Sequence, residues 1–266
     1  MQYSMPDDPN SRPLATPTPD ESPDGFARFW LSIPDVVFRI VGVAAFVGYV
    51  LWRLTGYARY LPLDNSLWRT QPTQTAIDLA RNLLIDLTYL LIVAGFCLRV
   101  RPVRRLTDPG RIALAFVGAF WPFLPLLIGG LFSFDSALRK DWNEFVWRQP
   151  LGMTAVLLGG GLVIAGLLIE IWGYAYLVRS LSIVPEARVL KVTGPFRFVR
   201  HPIYFGQFLA QAGVWLVFAN THVVWITFYL CFVALQLLRT RMEDRVLENA
   251  FGDNYRDWKR RTFWFC

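Results

Sequence analysis

Long apolar blocks with few charged residues constrain the fold of this chain more than any other feature of its sequence. A helix needs about 20 predominantly apolar residues to cross the hydrocarbon core of a bilayer. Six blocks approach or exceed this length, at residues 36–52, 77–98, 112–134, 151–178, 203–218 and 223–238. Charged residues make up 18% of the chain, against about a quarter in soluble domains. The sequence therefore predicts an all-α, polytopic membrane protein with about six transmembrane helices.

Features inside and between the blocks refine this prediction. Only Ala-Asn-Thr-His, residues 219–222, separates the last two blocks, so the last two helices must form a tight antiparallel hairpin. Pro122 and Pro125 lie inside the third block and predict a kink there. The fourth block contains several glycines, and small residues of this kind allow neighbouring helices to approach closely in a membrane.

The charge of the connecting segments predicts the orientation in the membrane. Arginines concentrate in residues 99–111, in residues 179–200 and in the tail after Leu238, and six spans place all three segments on one side. Because loops rich in lysine and arginine stay in the cytoplasm, we expect this side to be cytoplasmic. Both termini are then expected to be cytoplasmic as well.

The chain divides into three regions. Residues 1–35 are polar, rich in proline and acidic on balance, which is typical of a disordered tail. Residues 36–150 contain the first three apolar blocks and little polar chemistry. Residues 151–266 contain the last three blocks and nearly all the residues that suggest a function, so we expect the functional core there.

Charge and cysteine content exclude two classes of partner. The formal net charge is +7, but the basic residues lie between apolar blocks. They form no separate basic stripe with exposed aromatic residues, so no nucleic-acid partner is expected. The three cysteines show no CxxC or Cys/His spacing, so neither a metal site nor a disulfide framework is expected.

The first candidate site leads into the fifth block and reads Gly-Pro-Phe-Arg-Phe-Val-Arg-His-Pro-Ile-Tyr-Phe-Gly, residues 194–206. Gly194 and Pro195 predict a turn. Pro202 is suited to the first position of a helix, where its missing N–H costs no hydrogen bond. The free N–H groups and positive dipole end of such a helix attract a carboxylate or phosphate, and Arg200 and His201 lie beside them.

These basic residues also have a purely structural interpretation. Arg197, Arg200 and His201 would then only anchor the span at the level of the lipid headgroups. We favour a functional role for His201 because the chain has only two histidines and this one lies within the Arg-His-Pro element. His222, in the hairpin turn on the far side, is expected to be structural.

The second candidate site, Arg-Thr-Arg-Met-Glu-Asp at residues 239–244, follows the last apolar block. Arg239 and Glu243 are four residues apart and share a helix face, so one interpretation is a simple intrahelical ion pair. The other follows from the hairpin, which returns Glu243 to the side on which His201 lies. Ionisable groups that face inward near a membrane usually mark function.

Together these segments resemble the isoprenylcysteine carboxyl methyltransferase family and the related phospholipid N-methyltransferases. The resemblance rests on the Arg-His-Pro-x-Tyr-x-Gly element and, about 40 residues later, on Arg239 with the acidic pair Glu243 and Asp244. It also includes Phe-Gly at residues 251–252, and Leu-Ser-Ile-Val-Pro-Glu-Ala-Arg at residues 181–188 is similar to a bacterial branch of the family.

The resemblance implies a membrane-embedded methyltransferase that uses S-adenosyl-L-methionine and acts on a lipophilic small molecule or a lipidated acceptor. The nearest family activity is carboxyl O-methylation of a protein S-isoprenylcysteine. Glu243 would hold the amino group of the donor and Arg239 would meet the carboxylate of the acceptor, which makes these two the expected catalytic residues. The other expected donor-binding residues are Leu190, Lys191, Phe196, His201, Pro202, Ile203 and Tyr204. The implied location is a bacterial inner membrane.

The departures from the family pattern bear on the identity of the methyl acceptor more than on the use of the methyl donor. Phe196 stands where the family often has tyrosine, Gln207 where relatives often carry an acid, and Asp244 where a second glutamate is usual. The ending Phe-Trp-Phe-Cys also lacks the usual proline. Lipid N-methylation and thiol S-methylation stay open as activities. A membrane reductase of the sterol-reductase type that uses NADPH and a membrane scaffold without catalysis are the alternatives from other classes.

Reporter fusions test the predicted orientation. Asp141 lies between the third and fourth blocks, and Cys266 follows the last arginine-rich segment. Because three apolar blocks separate these positions, we expect a reporter at Cys266 to be cytoplasmic and a reporter at Asp141 to lie on the opposite side. Paired phosphatase and fluorescent-protein fusions measure this. Both reporters in one compartment would contradict the six-span topology.

Overall fold

The structure is a computed structural model, which describes residues 25–63, 65–148 and 151–263. The helices are α1 (Gly25–Ser32), α2 (Asp35–Leu54), α3 (Ser66–Thr70), α4 (Pro72–Leu98), α5 (Pro109–Phe120), α6 (Leu124–Leu131), α7 (Ser136–Val146), α8 (Met153–Leu177), α9 (Pro202–Ala212) and α10 (Val223–Arg261). Two short strands, β1 (Arg104–Arg105) and β2 (Glu186–Ala187), pair with each other in antiparallel fashion.

The predicted all-α membrane architecture is confirmed. In the described part of the chain, five helical segments are long and apolar enough to cross a membrane, at Asp35–Tyr60, Pro72–Leu98, Pro109–Phe134, Met153–Leu177 and Val223–Arg261. The remaining apolar helix, Pro202–Phe218, is shorter and ends in a π-helical segment, Gly213–Phe218. Four residues then lead directly into α10, which gives the expected tight hairpin.

Helix α8 is the central element of the bundle, because it packs against both α4 and α9. Glycines make the contact with α9 unusually close. A Cβ atom added at Gly206 would lie 2.6 Å from the carbonyl oxygen of Gly166 and 2.8 Å from Cγ of Glu170. The third apolar block is interrupted as its prolines predict, since a 3₁₀ segment at Trp121–Phe123 separates α5 from α6.

The three arginine-rich segments meet at one end of the bundle. Strand β1 belongs to the first segment and β2 to the second, and α10 packs against both strands. Leu106, Val184 and Val246, one from each segment, belong to the same buried cluster. The third segment, described above as a tail after Leu238, is helical as far as Arg261.

Of the stretch expected to be a disordered tail, residues 1–24 lie outside the described part, and residues 25–35 include a short helix and the start of α2. Residues 25–32 form α1, whose Trp30 stacks on Phe26 and contacts Phe38 of α2. Trp30 also packs against the buried cluster that contains Leu106, Val184 and Val246, and burial of its ring offsets the entropy lost on ordering. Asp35 begins α2.

Asp35 ties this N-terminal region to the connection between α8 and α9. Its carboxylate forms ion pairs with Arg39 at 2.8 Å, with Arg99 at 3.1 Å and with Arg188 at 2.9 Å. Arg188 has a fully buried side chain and follows β2 directly. The first span therefore holds in place the segment that leads to the predicted site.

Substitution of Gly206 by alanine tests the close contact between α8 and α9. The added methyl group would overlap the backbone of α8, and overpacking of this kind costs about 1–3 kcal/mol. We expect Gly206→Ala to lower the thermal unfolding midpoint of the purified protein in detergent. Gly161→Ala in α8 is the matched control, because nothing lies within 4 Å of its added Cβ. Equal midpoints for both variants would show that this contact does not limit stability.

Candidate functional site

A buried carboxylate, Asp244 on α10, organises the region where α9 begins. One of its oxygens accepts a hydrogen bond from Nη1 of Arg200 at 2.9 Å, and the other lies 2.8 Å from Nε2 of His201. The hydroxyl of Tyr255 donates a further hydrogen bond to the same carboxylate. All four residues are buried. Two consecutive residues before α9 are therefore fixed to the middle of α10.

Local backbone geometry brings these groups together. His201 is the N-cap of α9 and Pro202 is its first residue, as the sequence predicts. Gly252 has a φ of 53° inside the long α10, a conformation that residues with a Cβ rarely adopt. The resulting bend sends the chain back, so that Tyr255 reaches Asp244 eleven residues earlier.

The end of the described chain closes over the segment that precedes α9. The backbone N–H of Arg200 donates to the carbonyl of Phe263 at 3.1 Å, and the N–H of Phe263 donates to the carbonyl of Phe198 at 3.0 Å. The indole N–H of Trp258 donates to the carbonyl of Phe196 at 3.0 Å. Together these three hydrogen bonds fix the backbone between Phe196 and Arg200.

Arg239 and Glu243 have different partners. Arg239 donates to the side-chain oxygen of Gln236 at 3.0 Å and to the carbonyl of Ile183 at 2.9 Å. Its guanidinium carbon lies 5.6 Å from the ring centroid of Tyr204, and the hydroxyl of Tyr204 donates to Glu243 at 3.2 Å. Among the described side chains, no ion pair joins Arg239 to Glu243. The interpretation as a simple intrahelical pair is therefore wrong.

A cavity of about 780 Å³ lies among α4, α8, α9 and α10. At the end where the arginine-rich segments meet, Arg239 and Glu243 line it. Toward the opposite end of the bundle it extends to Arg53, near the end of α2, and to Asn82, in the first half of α4. Apolar side chains such as Val163 line much of the remainder. A second, smaller pocket of about 60 Å³ lies against the connection between α8 and α9.

All the residues predicted for the site line one or both of these spaces. Of the predicted residues, Leu190 and Lys191 line the smaller pocket but not the cavity. Pro202, Ile203 and Arg239 line the cavity but not the pocket. Phe196, His201, Tyr204 and Glu243 line both spaces. These last four residues form a wall shared by the pocket and the cavity.

Several polar residues of this region were missed by sequence reasoning. Asp244 was counted in the acidic pair and as a departure from the family pattern but was given no role, although it bonds to Arg200, His201 and Tyr255. Glu170 in α8 lines the cavity and was not singled out at all. An acidic residue within an apolar block was the available signal for it. In the described ranges no group of three His, Cys, Asp or Glu side chains could hold a metal ion.

Comparisons with known proteins give a family relationship for the same part of the chain. Residues 154–254 match the phospholipid methyltransferase family. A protein-S-isoprenylcysteine O-methyltransferase from Xenopus laevis is 23% identical over 138 residues, which cover 49% of this chain and 44% of that protein. The protein of the same name from Mus musculus is 23% identical over 131 residues, with coverage of 49% and 45%. The chain thus spans less than half the length of these relatives, and no solved structure matches it significantly.

Replacement of Asp244 tests whether the buried carboxylate stabilises the site. Asp244→Asn removes the negative charge that faces Arg200 and His201, and loss of one partner of a buried ion pair costs about 3–5 kcal/mol. We expect a large drop in the thermal unfolding midpoint.

Asp253→Asn is the matched control on the same helix, because Asp253 is 90% exposed and pairs with an exposed Arg256. Exposed pairs of this kind contribute about 0–1 kcal/mol. Similar midpoints for Asp244→Asn and the control would contradict a stabilising role for the Asp244 cluster.

Proposed function

Because residues 154–254 match the phospholipid methyltransferase family and the resemblance to isoprenylcysteine methyltransferases is thereby confirmed, we propose that this chain is a membrane methyltransferase that uses S-adenosyl-L-methionine. The observation that carries the proposal is the wall formed by Phe196, His201, Tyr204 and Glu243 between the polar pocket and the larger cavity. Direct transfer of a methyl group from a polar donor to a lipophilic acceptor requires two adjacent spaces in which the methyl carbon of the donor can contact the acceptor atom.

The chemistry of the wall and the smaller pocket fits this donor. The donor carries a flat purine, an amino group, a carboxylate and a sulfonium cation. The aromatic rings of Phe196 and Tyr204 suit the purine, Glu243 suits the amino group, and Lys191 suits the carboxylate. The pocket of about 60 Å³ is too small for the whole donor, so binding must extend it toward the cavity. When bound, the donor supplies a methyl group that its positive sulfur has already activated.

Arg239 is suited to an anionic group on the acceptor. Two of its nitrogens donate to Gln236 and Ile183, which fixes the guanidinium at the cavity wall. The guanidinium carbon lies 5.6 Å from the ring centroid of Tyr204, so the positive charge is held beside the shared wall. An acceptor carboxylate or phosphate in the cavity would pair with this charge.

The cavity provides the acceptor with an apolar environment. A lipid tail can lie along α4 and α8 while its head reaches the shared wall, where alignment with the methyl group supplies several kcal/mol of rate enhancement. O-methylation is the activity in the names of the two relatives, and we take carboxyl O-methylation as the nearest activity. Lipid N-methylation and thiol S-methylation are the alternatives. We place the protein in a bacterial inner membrane with the donor pocket on the cytoplasmic side.

Substitutions at Glu243 and Arg239 test the proposal, because Glu243 is expected to bind the methyl donor and Arg239 the methyl acceptor. Glu243→Gln removes a charged hydrogen bond to the donor, so we expect the affinity for S-adenosylhomocysteine to fall by about 1.5–3 kcal/mol. Arg239→Ala should leave that affinity unchanged and abolish methyl transfer to an acid-bearing lipid. Arg239→Lys should restore transfer only in part, because lysine replaces a bidentate fork by a point charge.

Glu248→Gln serves as the control for charge on the same helix, since the described ion pairs of Glu248 are with the exposed residues Arg256 and Lys259. Calorimetry in nanodiscs measures donor affinity, and transfer of a labelled methyl group measures activity. Equal loss of donor affinity in the Glu243 and Arg239 variants would refute the division of roles. No loss in either variant would remove both residues from the site.

A further inference from the structure

A third pocket, of about 700 Å³, lies at the end of the bundle where the arginine-rich segments meet. One wall is the junction between α1 and α2, at residues 31–36, and the other is the loop between α4 and α5, at residues 101–105. Asp35 is the one acid in its described lining, which also contains four arginines, namely Arg39, Arg101, Arg104 and Arg105. We call it the basic pocket. It lies outside residues 154–254, so the family match gives it no role.

Asp35 does not neutralise the positive charge of the basic pocket. Its carboxylate is already shared by four arginines at distances of 2.8–3.6 Å, and two of these, Arg99 and Arg188, lie outside the pocket. Arg101 and Arg104 are exposed, and neither forms an ion pair with a described acidic residue. These two guanidinium groups are therefore available to an anion that enters the pocket.

A ring of ion pairs holds the basic pocket in shape. Arg105 pairs with Asp35 at 3.6 Å and with Glu186 at 3.3 Å, and Arg188 pairs with the same two carboxylates. The pairing of β1 with β2 fixes the backbone of Arg104 and Arg105 as well. A ligand thus meets an ordered frame, so binding loses less conformational entropy than it would on a mobile loop.

Apolar side chains continue from the basic pocket onto the outer surface of α2. Val36 lines the pocket and is 54% exposed, and Ile40, one turn further along the same face, is 64% exposed. Because α2 belongs to a segment long and apolar enough to cross a membrane, these two side chains face the acyl chains of lipids. Val103 adds a further exposed apolar side chain to the pocket lining. The region thus joins a cationic pocket to a lipid-facing surface.

We propose that the basic pocket binds an anionic phospholipid, whose phosphate contacts Arg101 and Arg104 and whose acyl chains lie along Val36 and Ile40. Guanidinium groups bind phosphate oxygens through paired, charge-assisted hydrogen bonds. Basic pockets beside membrane-spanning helices bind anionic lipid heads. A soluble phosphate would fill the cationic part and leave the adjoining apolar surface unused, which favours a lipid. The site is separate from the shared wall and does not depend on methyl transfer.

Two lipids with equal chains test this proposal. Dioleoyl phosphatidylglycerol has a net negative charge, whereas dioleoyl phosphatidylcholine is neutral overall. We expect the full-length protein in detergent to bind its first phosphatidylglycerol about 10–30-fold more tightly than phosphatidylcholine, the range for two arginines beside an anionic head. The double variant Arg101→Gln, Arg104→Gln should reduce this preference to less than about 3-fold. Native mass spectrometry with added lipid measures the binding.

The matched control is the double variant Arg241→Gln, Arg245→Gln. Both arginines are exposed on α10 within the same arginine-rich end, and neither lines the basic pocket. Its preference should equal that of the wild type. The double variant Arg101→Lys, Arg104→Lys keeps both charges but not the paired hydrogen bonds. It should therefore show an intermediate preference, which keeps the test valid if the glutamine variant folds poorly.

Four results would overturn the proposal. Equal affinity of the wild type for both lipids would remove the anionic site, and equal losses in the pocket variant and the α10 control would show a general effect of charge. Displacement of phosphatidylglycerol by an equal concentration of glycerol 3-phosphate would show that the phosphate alone is bound. A preference that appears only after removal of residues 1–24, which contain five acidic residues, would assign the pocket to that segment.

Discussion

The contact between Asp244 and the Arg200–His201 pair holds together the parts of the molecule on which the candidate site depends. A carboxylate buried among a guanidinium, an imidazole and the hydroxyl of Tyr255 replaces the hydration that each group loses. Since the groups come from the start of α9, the middle of α10 and the segment after Gly252, the geometry of all three is coupled. Glu243, adjacent in sequence to Asp244, is thereby held beside Tyr204 at the shared wall.

The surrounding structure places a small pocket of mixed polarity beside a larger cavity whose lining is mainly apolar, within a single bundle. The smaller pocket lies against the connection from α8 to α9, which β2 and the Asp35–Arg188 ion pair attach to the N-terminal helices. The larger cavity extends between membrane-spanning helices. The N-terminal half is therefore more than an anchor, because it supports the segment beside the smaller pocket and lines part of the larger cavity.

The features that sequence alone could predict are those set by local pattern. The apolar blocks predicted the spans, the four-residue connection predicted the hairpin, and Pro202 predicted the start of α9. Features that depend on distant residues could not be predicted. The hydrogen bonds of Asp244, the pairing of Phe263 with Phe198, and the entry of Glu170 into the cavity all require the assembled bundle. The helix at residues 25–32 was missed because Trp30 packs against Phe38 and the cluster of Leu106, Val184 and Val246, which come together only in the assembled bundle.

Calorimetric titration of the purified protein with S-adenosylhomocysteine and, separately, with NADPH tests the central claim most directly. The shared wall offers a carboxylate for an amino group and aromatic rings for a purine, so the account predicts saturable binding of S-adenosylhomocysteine and none of NADPH. The Glu243→Gln variant should bind more weakly under the same conditions. Saturable binding of NADPH without binding of S-adenosylhomocysteine would contradict the account and favour a membrane reductase. Binding of neither would contradict a methyltransferase and favour a scaffold.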